Sequence, residues 1–207
     1  MTGGQPGPVF FMSHSRFRDP DGPAVEQSRP APHLRLFRDL WYHVGELIGP
    51  PIGVDPGFVD DKMRGGSPWD ESLVAAVGNC RVFVPLLSQS YTGSRWCAKE
   101  WHAFAARDPR GDAVLPVLWL PIDEAELPPV IRRIQLFNVS EMVDSNIARR
   151  YCSEGLYGLL SMGSEDYDIV AWRLAQRIAE LSRAHRIPAK TIFDHERLPS
   201  SFESGES

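Results

Sequence analysis

Residues 82–87 read Val-Phe-Val-Pro-Leu-Leu, and this stretch decides the fold. An apolar run of this length without polar alternation is typical of a strand that is covered on both faces, as in a parallel sheet. Pro85 cannot donate a hydrogen bond to a neighbouring strand, so we expect it near the strand's end or at a bulge. After a polar segment, Ser94 is a good N-cap and predicts a helix over residues 95–106.

Apolar runs and amphipathic helices alternate along most of the chain. Strands that alternate with helices predict an α/β fold with a central parallel sheet. In such sheets, ligands bind beyond the carboxyl ends of the strands. The predicted strands are 9–12, 52–59, 82–87 and 113–120, and the predicted helices are 34–48, one that begins at Pro68, 95–106, 149–160 and 168–186.

Composition excludes several classes of protein. The net charge of -5 argues against a general nucleic-acid-binding protein, which needs a basic surface. Three cysteines without a C-x-x-C pair predict neither a metal site nor a redox motif, and they suit a reducing cytoplasm. No apolar run approaches the ~20 residues that span a bilayer, and the N-terminus lacks the pattern of a signal peptide. We therefore expect a cytoplasmic protein without membrane contact.

The distribution of Gly, Pro and polar residues predicts the domain organisation. Residues 1–8 and the polar tail 188–207 are expected to be disordered. Residues 9–187 form a single domain. Within it, 17–32 is a long loop rich in Pro, Asp and Gly, and 121–187 is a C-terminal part with weaker patterns.

Glu100 occupies an unusual place in the third predicted helix. At about 100° per residue, Glu100 lies at about 40°, between Trp96 at zero and Phe104 at about 80°. The carboxylate is thus inside the apolar stripe, and its helical neighbours three and four positions away are not basic. Burying an unpaired carboxylate costs several kcal/mol. The pattern fits either a structural Glu that hydrogen-bonds a neighbouring loop or a group that binds a ligand.

Five motifs in order resemble the TIR (Toll/interleukin-1 receptor-like) domain family, in its bacterial and actinobacterial form. The most specific is the box Ser94-x-Trp96-Cys97-x-x-Glu100, together with the preceding Ser90-Tyr91; of these residues, only Glu100, Trp96 and Ser94 are expected to contact a ligand. The resemblance implies a flavodoxin-like three-layer sandwich with a central parallel sheet flanked by helices, and it weakens after Pro121. The other four motifs are residues 10–15 (Phe-Phe-Met-Ser-His-Ser), 58–61 with Gly65-Gly66-Ser67, 80–88, and 114–119 (Val-Leu-Pro-Val-Leu-Trp).

Many TIR domains cleave NAD⁺ between nicotinamide and ribose, and the resemblance places the catalytic glutamate at Glu100. Ordinary glycosidases need two carboxyl groups. Nicotinamide leaves as a neutral molecule without protonation, so one carboxylate that stabilises the oxocarbenium-like ribose is enough. NAD⁺ would be the substrate, with no cofactor and no metal. The expected substrate-binding residues are Ser15 and Arg16 at the diphosphate or nicotinamide side, Trp96 beside the carboxylate, and Ser13, Asp60 and Ser94.

The resemblance also implies a second class of function. TIR domains in signal transduction bind one another through the "BB" loop, here residues 60–67, and a non-catalytic interaction module is the alternative to an NAD⁺ hydrolase of bacterial signalling or antiphage defence. The two combine if self-association completes the catalytic site. A deoxyribosyltransferase of related fold is a third idea, against which the box at Glu100 argues. The expected contacts of the loop are Met63, Arg64, Gly65 and Gly66.

Overall fold

Four parallel strands form one sheet in the order β2-β1-β3-β4. This confirms the predicted α/β fold with a parallel sheet. The strands are β1 (Phe10–Ser13), β2 (Gly57–Val59), β3 (Val82–Leu87) and β4 (Val117–Leu118). The computed structural model describes residues 7–15, 31–49, 51, 53–60, 71–140, 142–192 and 194–203.

Helices cover both faces of this sheet. Phe10 and Met12 of β1 pack on one side, in a cluster with α1, α6 and α7, and Phe11 packs on the other side with α2 and α4. Coverage on both faces explains why the strands read as apolar runs without alternation. The helices are α1 (Pro32–Ile48), α2 (Glu71–Asn79), α3 (Gln89–Thr92), α4 (Arg95–Ala105), α5 (Pro129–Arg132), α6 (Ser145–Ser161) and α7 (Glu165–Ala184).

Pro85 lies inside β3, whereas the sequence predicts it near the strand's end or at a bulge. It is in register with Ser13 of β1. Phe83 donates its backbone N–H toward Ala113, on the side of β4, and alternate residues of a strand face the same neighbour. The N–H that Pro85 lacks would therefore point toward β4, so the ladder with β1 is unaffected.

The N–H that Pro85 lacks also explains why the fourth predicted strand, 113–120, is shortened to the two residues of β4. A single bridge pairs Phe83 with Val114, and regular pairing resumes only at Leu86 with Val117. Pro85 lies between these two points and cannot donate across the gap. The apolar pattern of 113–120 reports burial correctly but does not report this missing hydrogen bond.

The outer edge of β4 is covered by α6. The backbone N–H of Leu118 donates to the Tyr151 hydroxyl at 2.9 Å, and the N–H of Tyr157 donates to the Trp119 carbonyl at 2.9 Å. The close approach occurs at Gly155, whose φ of 67° is in the left-handed region. An unpaired strand edge would otherwise expose hydrogen-bonding groups to other chains.

The C-terminal segment packs against the protein, although its polar composition predicts a disordered tail. Lys190 donates its N–H to the Gly78 carbonyl at 3.0 Å, and the guanidinium of Arg107 donates to the Pro188 carbonyl at 3.0 Å. Phe202 is only 2% exposed. A few apolar residues spaced through a polar segment are sufficient to anchor it, and the expectation of disorder does not hold for residues 188–192 and 194–203.

Two other predicted segments lie mostly outside the described residues. Of the N-terminal residues 1–8, only Gly7 and Pro8 are described. The long loop 17–32 is described only from residue 31, and its last residue, Pro32, begins α1. Among the described residues, no helix is long and apolar enough to cross a membrane.

We predict that Gly155→Ala lowers the free energy of unfolding by about 3 kcal/mol. With φ 67° and ψ 173°, Gly155 adopts a conformation that is essentially restricted to glycine and costs an alanine about 1–3 kcal/mol. The new Cβ would also lie 2.5 Å from the Trp119 carbonyl oxygen, which adds a steric clash. Gly163→Ala is the matched control, because Gly163 has a φ of 65° and nothing within 4 Å of the new Cβ. Urea denaturation of both variants measures the difference. Equal losses would show that the contact with Trp119 does not constrain position 155.

Candidate active site

The carboxyl ends of three strands bring polar side chains to one edge of the sheet. Ser13 ends β1, Asp60 follows β2 and Ser88 follows β3. Glu100 of α4 reaches this edge, because the Ser13 hydroxyl donates to its Oε2 atom at 2.5 Å. The predicted site residues Ser13, Asp60 and Glu100 thus lie at the place where parallel sheets bind ligands.

Ser94 positions the helix that carries Glu100. Its hydroxyl accepts a hydrogen bond from the Cys97 N–H at 3.3 Å, which makes it the N-cap of α4, as the sequence predicts. The helix then buries Cys97, Glu100 and Trp101 on its inner face. Ser94 therefore contributes to the site by orienting α4, and whether it also touches a substrate stays a prediction.

The carboxyl group of Glu100 is almost completely removed from water. Its residue is 3% exposed, and no basic side chain among the described residues forms an ion pair with it. Burial raises the pKa of Glu100 from 4.5 to about 8. The hydrogen bond from Ser13 acts in the opposite direction, while the nearby carboxyl of Asp60 raises the pKa further. Glu100 is therefore mostly neutral at pH 7 when the site is empty.

Tyr91 is a member of this site that sequence reasoning missed. Its hydroxyl lies 3.0 Å from the Ser13 Oγ atom, and its side chain is fully buried on α3. The Ser88 hydroxyl caps this short helix by accepting from the Tyr91 N–H at 3.2 Å. Tyr91 lies in a segment that reads as a polar connection between a strand and a helix, so no periodicity marks it as buried.

Ser15 joins the site through a second group of hydroxyls. Its Oγ atom lies 2.8 Å from that of Ser90, which in turn lies 3.0 Å from that of Ser88. Ser90 is exposed and Ser15 is partly buried. These hydroxyls connect the ends of β1 and β3 and offer hydrogen bonds to a ligand at the sheet edge. Ser90 is a further residue that the sequence prediction did not include.

The remaining predicted contacts divide into two groups. Trp96 is partly buried and packs against the cluster between the sheet and the helices α2 and α4. Its contact with a substrate stays a prediction. Arg16 and the loop residues Met63, Arg64, Gly65 and Gly66 lie outside the described residues.

Cys97 does not have the properties of a nucleophile. Burial raises the pKa of its thiol far above the ordinary value, and the nearby Glu100 raises it further. Since the thiolate is the reactive form, a buried neutral thiol is chemically inert. Among the described residues, no group of three or more His, Cys, Asp or Glu side chains could hold a metal ion.

Comparison with known families agrees with this architecture. Residues 52–151 match the family model of the TIR domain. The chain therefore contains a TIR domain. No curated protein matches the chain in sequence. The matched region extends from before β2 into α6. It contains Asp60, Ser94, Trp96 and Glu100.

Strand β1 precedes the matched region of the TIR domain, yet it supplies the direct partner of Glu100. β1 lies between β2 and β3 in the sheet, so Ser13 at its end faces α4. Pairing with both neighbours fixes its register, from Phe10 opposite Gly57 to Ser13 opposite Pro85. The candidate site therefore includes Ser13 of β1, which lies outside the region that matches the family model.

We predict that Glu100→Gln makes the TIR domain more stable than the parent at alkaline pH. The folded pKa of Glu100 is raised above its unfolded value, so the neutral carboxyl stabilises the fold fully below about pH 4.5. That contribution is lost as the pH rises toward about 8, by no more than about 5 kcal/mol. Glutamine keeps an oxygen that can accept from Ser13 and does not ionise.

The measurement is the free energy of unfolding of both proteins in urea between pH 5 and pH 9. The advantage of Glu100→Gln over the parent should grow across this interval. The same comparison with Glu46→Gln, which removes an exposed carboxyl of α1, provides the control. If the advantage of Glu100→Gln is constant with pH, the folded pKa of Glu100 is not raised.

Proposed function

We propose that this TIR domain is an NAD⁺ glycohydrolase that cleaves the bond between nicotinamide and ribose, with Glu100 as its catalytic carboxyl group. One observation carries the proposal. A carboxyl group is buried at the ligand-binding edge of the sheet, and no cation of the described chain pairs with it. Natural proteins rarely bury a carboxyl without a partner. A positively charged ligand would supply the partner that the described residues do not provide.

The reaction requires only one carboxylate. The bond between ribose C1′ and the nicotinamide nitrogen breaks, and its electron pair neutralises the positive charge of the nicotinamide ring. Water then adds to C1′ and releases one proton, so that nicotinamide and ADP-ribose are the products. Because the leaving group needs no protonation, the second carboxyl group of ordinary glycosidases is unnecessary. Glu100 would bind the ribose hydroxyls and stabilise the positive charge that develops on the ribose.

The electrostatics of the empty site favour a cationic substrate. A carboxyl with a pKa of about 8 is mostly neutral at pH 7, and a positive charge within a few ångströms favours its ionised form. NAD⁺ would therefore convert Glu100 into the carboxylate as it binds. The stability that the protein loses when Glu100 ionises would be recovered from the interaction with the substrate.

Hydroxyl groups near Glu100 suit the remaining parts of NAD⁺. Ser15 and Ser90 present hydroxyl groups near the ends of β1 and β3, where a ribose diol can donate and accept hydrogen bonds and a diphosphate can accept them. Arg16 follows directly and would neutralise part of the diphosphate charge. We further propose that self-association through TIR–TIR contacts completes the site, and that the activity serves bacterial signalling or antiphage defence.

We predict that the purified protein releases nicotinamide from NAD⁺ at high protein concentration, and that Glu100→Gln reduces the rate by at least about 1000-fold. Glutamine matches the size of glutamate but cannot carry the negative charge that stabilises the ribose cation. Chromatographic detection of nicotinamide measures both rates. Glu46→Gln should retain the parent's rate, since Glu46 is exposed on α1, on the side of the fold away from α4.

The outcomes separate the two classes of function. Release by the parent and by Glu46→Gln, with loss in Glu100→Gln, supports the glycohydrolase. Equal release by the parent and Glu100→Gln would contradict the role of Glu100. No release by any of the three proteins, even under crowding that forces assembly, would favour the non-catalytic interaction module.

A further inference from the structure

Three hydroxyl and carboxyl groups form a continuous chain behind the candidate site. The Tyr91 hydroxyl lies 3.0 Å from Ser13 Oγ, and Ser13 Oγ lies 2.5 Å from Glu100 Oε2. All three side chains are buried, with exposures of 3% or less. The chain links α3, β1 and α4, so the state of the carboxyl depends on groups from three elements.

The direction of these hydrogen bonds follows from counting protons. Each hydroxyl has one proton to donate. The Tyr91 hydroxyl is buried, and within the described part of the chain Ser13 is its hydrogen-bonding partner. A buried donor that remains unsatisfied costs about 1–3 kcal/mol, so Tyr91 donates to Ser13. The proton of Ser13 is then directed to Glu100, as the geometry of the second hydrogen bond indicates.

This direction affects the two forms of Glu100 differently. The ionised carboxylate is a pure acceptor and receives the Ser13 proton without conflict. The neutral carboxyl cannot place its own proton on Oε2, because Ser13 already donates there. Tyr91 does not lose its proton in the accessible pH range, since burial and the neighbouring Cys97 and Glu100 raise its pKa well above the ordinary value. Tyr91 is therefore a permanent donor.

Phe202 of the C-terminal segment holds the ring of Tyr91 in place. The two ring centroids are 5.7 Å apart, and Phe202 also contacts Trp101 of α4 at 6.0 Å. The Ser201 carbonyl lies 3.0 Å from the His102 Nε2 atom, which fixes the segment beside the same helix. Phe202 thus packs against the rings of both Tyr91 and Trp101.

We propose that Tyr91, seated against Phe202, is a positioning residue that directs the Ser13 hydroxyl toward Glu100 and thereby favours the ionised carboxylate. The C-terminal segment, which follows the last helix of the fold, would then belong to the site although it does not touch the substrate. The effect on Glu100 is independent of the reaction. The consequence for catalysis rests on the proposed cleavage of NAD⁺.

Two other titratable groups, besides Tyr91, lie close enough to influence the ionisation of Glu100. Asp60 at the end of β2 disfavours the carboxylate, and Cys97 on α4 is a neutral thiol at the pH values concerned. Neither group is altered by a change at Tyr91 that removes only its hydroxyl. The test variant is therefore Tyr91→Phe, which keeps the buried ring.

The experiment compares the full-length parent with Tyr91→Phe, Phe202→Leu and Leu198→Ala. Leu198 is the control, because it packs from the same C-terminal segment against the cluster of α2 and α4 but has no ring contact with Tyr91. The readout is the infrared carbonyl band of the protonated Glu100 carboxyl. Subtraction of the Glu100→Gln spectrum isolates this band, which is followed as a function of pH.

We expect Glu100 of Tyr91→Phe to titrate roughly 0.5–1 pH unit higher than in the parent, since one hydrogen bond to the chain is lost. Phe202→Leu should shift in the same direction by less, and Leu198→Ala should not shift. Titration of Tyr91→Phe at the parent's pH would overturn the role of Tyr91. An unchanged Phe202→Leu would overturn the role of the C-terminal segment, and an equal shift in Leu198→Ala would show general loosening instead.

Catalysis supplies the second readout. The pH at which kcat/KM for NAD⁺ reaches half its maximum should shift by the same amount in Tyr91→Phe, with the parent's rate recovered at alkaline pH. A loss of rate that alkaline pH does not restore would contradict an effect through Glu100. If the parent does not cleave NAD⁺, the proposed function fails, but the infrared titration still decides whether Tyr91 controls Glu100.

Discussion

Burial of the Glu100 carboxyl is the constraint on which the site depends. Water would stabilise the carboxylate, but the residue is 3% exposed, and within the described part of the chain its hydrogen-bond partner is the Ser13 hydroxyl. Burial therefore raises the pKa to about 8, and the protein holds a carboxyl that is neutral at pH 7 yet close to ionisation. A group in this condition responds strongly to a nearby positive charge. The same burial would be a defect in a purely structural position, because a neutral apolar residue would stabilise the helix better.

The fold supplies this burial through its layered construction. The sheet is covered on both faces, so residues at the ends of β1 and β3 are enclosed by α4 on one side. Ser94 begins α4 at the point that directs Glu100 toward the strand ends. The C-terminal segment packs beside α4, where Phe202 contacts Tyr91 and Trp101.

Sequence patterns predicted the parts of this arrangement that are local. Apolar runs predicted the parallel sheet, and helical periodicity placed Glu100 on the buried face of α4 because the face of a helix follows from residue spacing. Contacts between distant residues left no such signal. Ser13 is 87 residues from Glu100 and 78 residues from Tyr91. The resemblance to TIR domains suggested Ser13 as a site residue, whereas Tyr91 was part of a matching motif without an expected role in the site. The polar composition of the C-terminal segment gave no indication that Phe202 would be buried. The pattern around Pro85 reported burial correctly, but it could not show which neighbour would lose a hydrogen bond.

The most direct measurement of the central claim is the number of protons released when a non-cleavable analogue of NAD⁺ binds at pH 7. Calorimetry in buffers with different ionisation enthalpies gives this number. If Glu100 is neutral in the empty site and ionises against the positively charged ring, the parent should release roughly one proton per bound analogue, and Glu100→Gln should release none. Equal proton release by the two proteins would contradict the claim, because Glu100 would then not ionise when the cation binds.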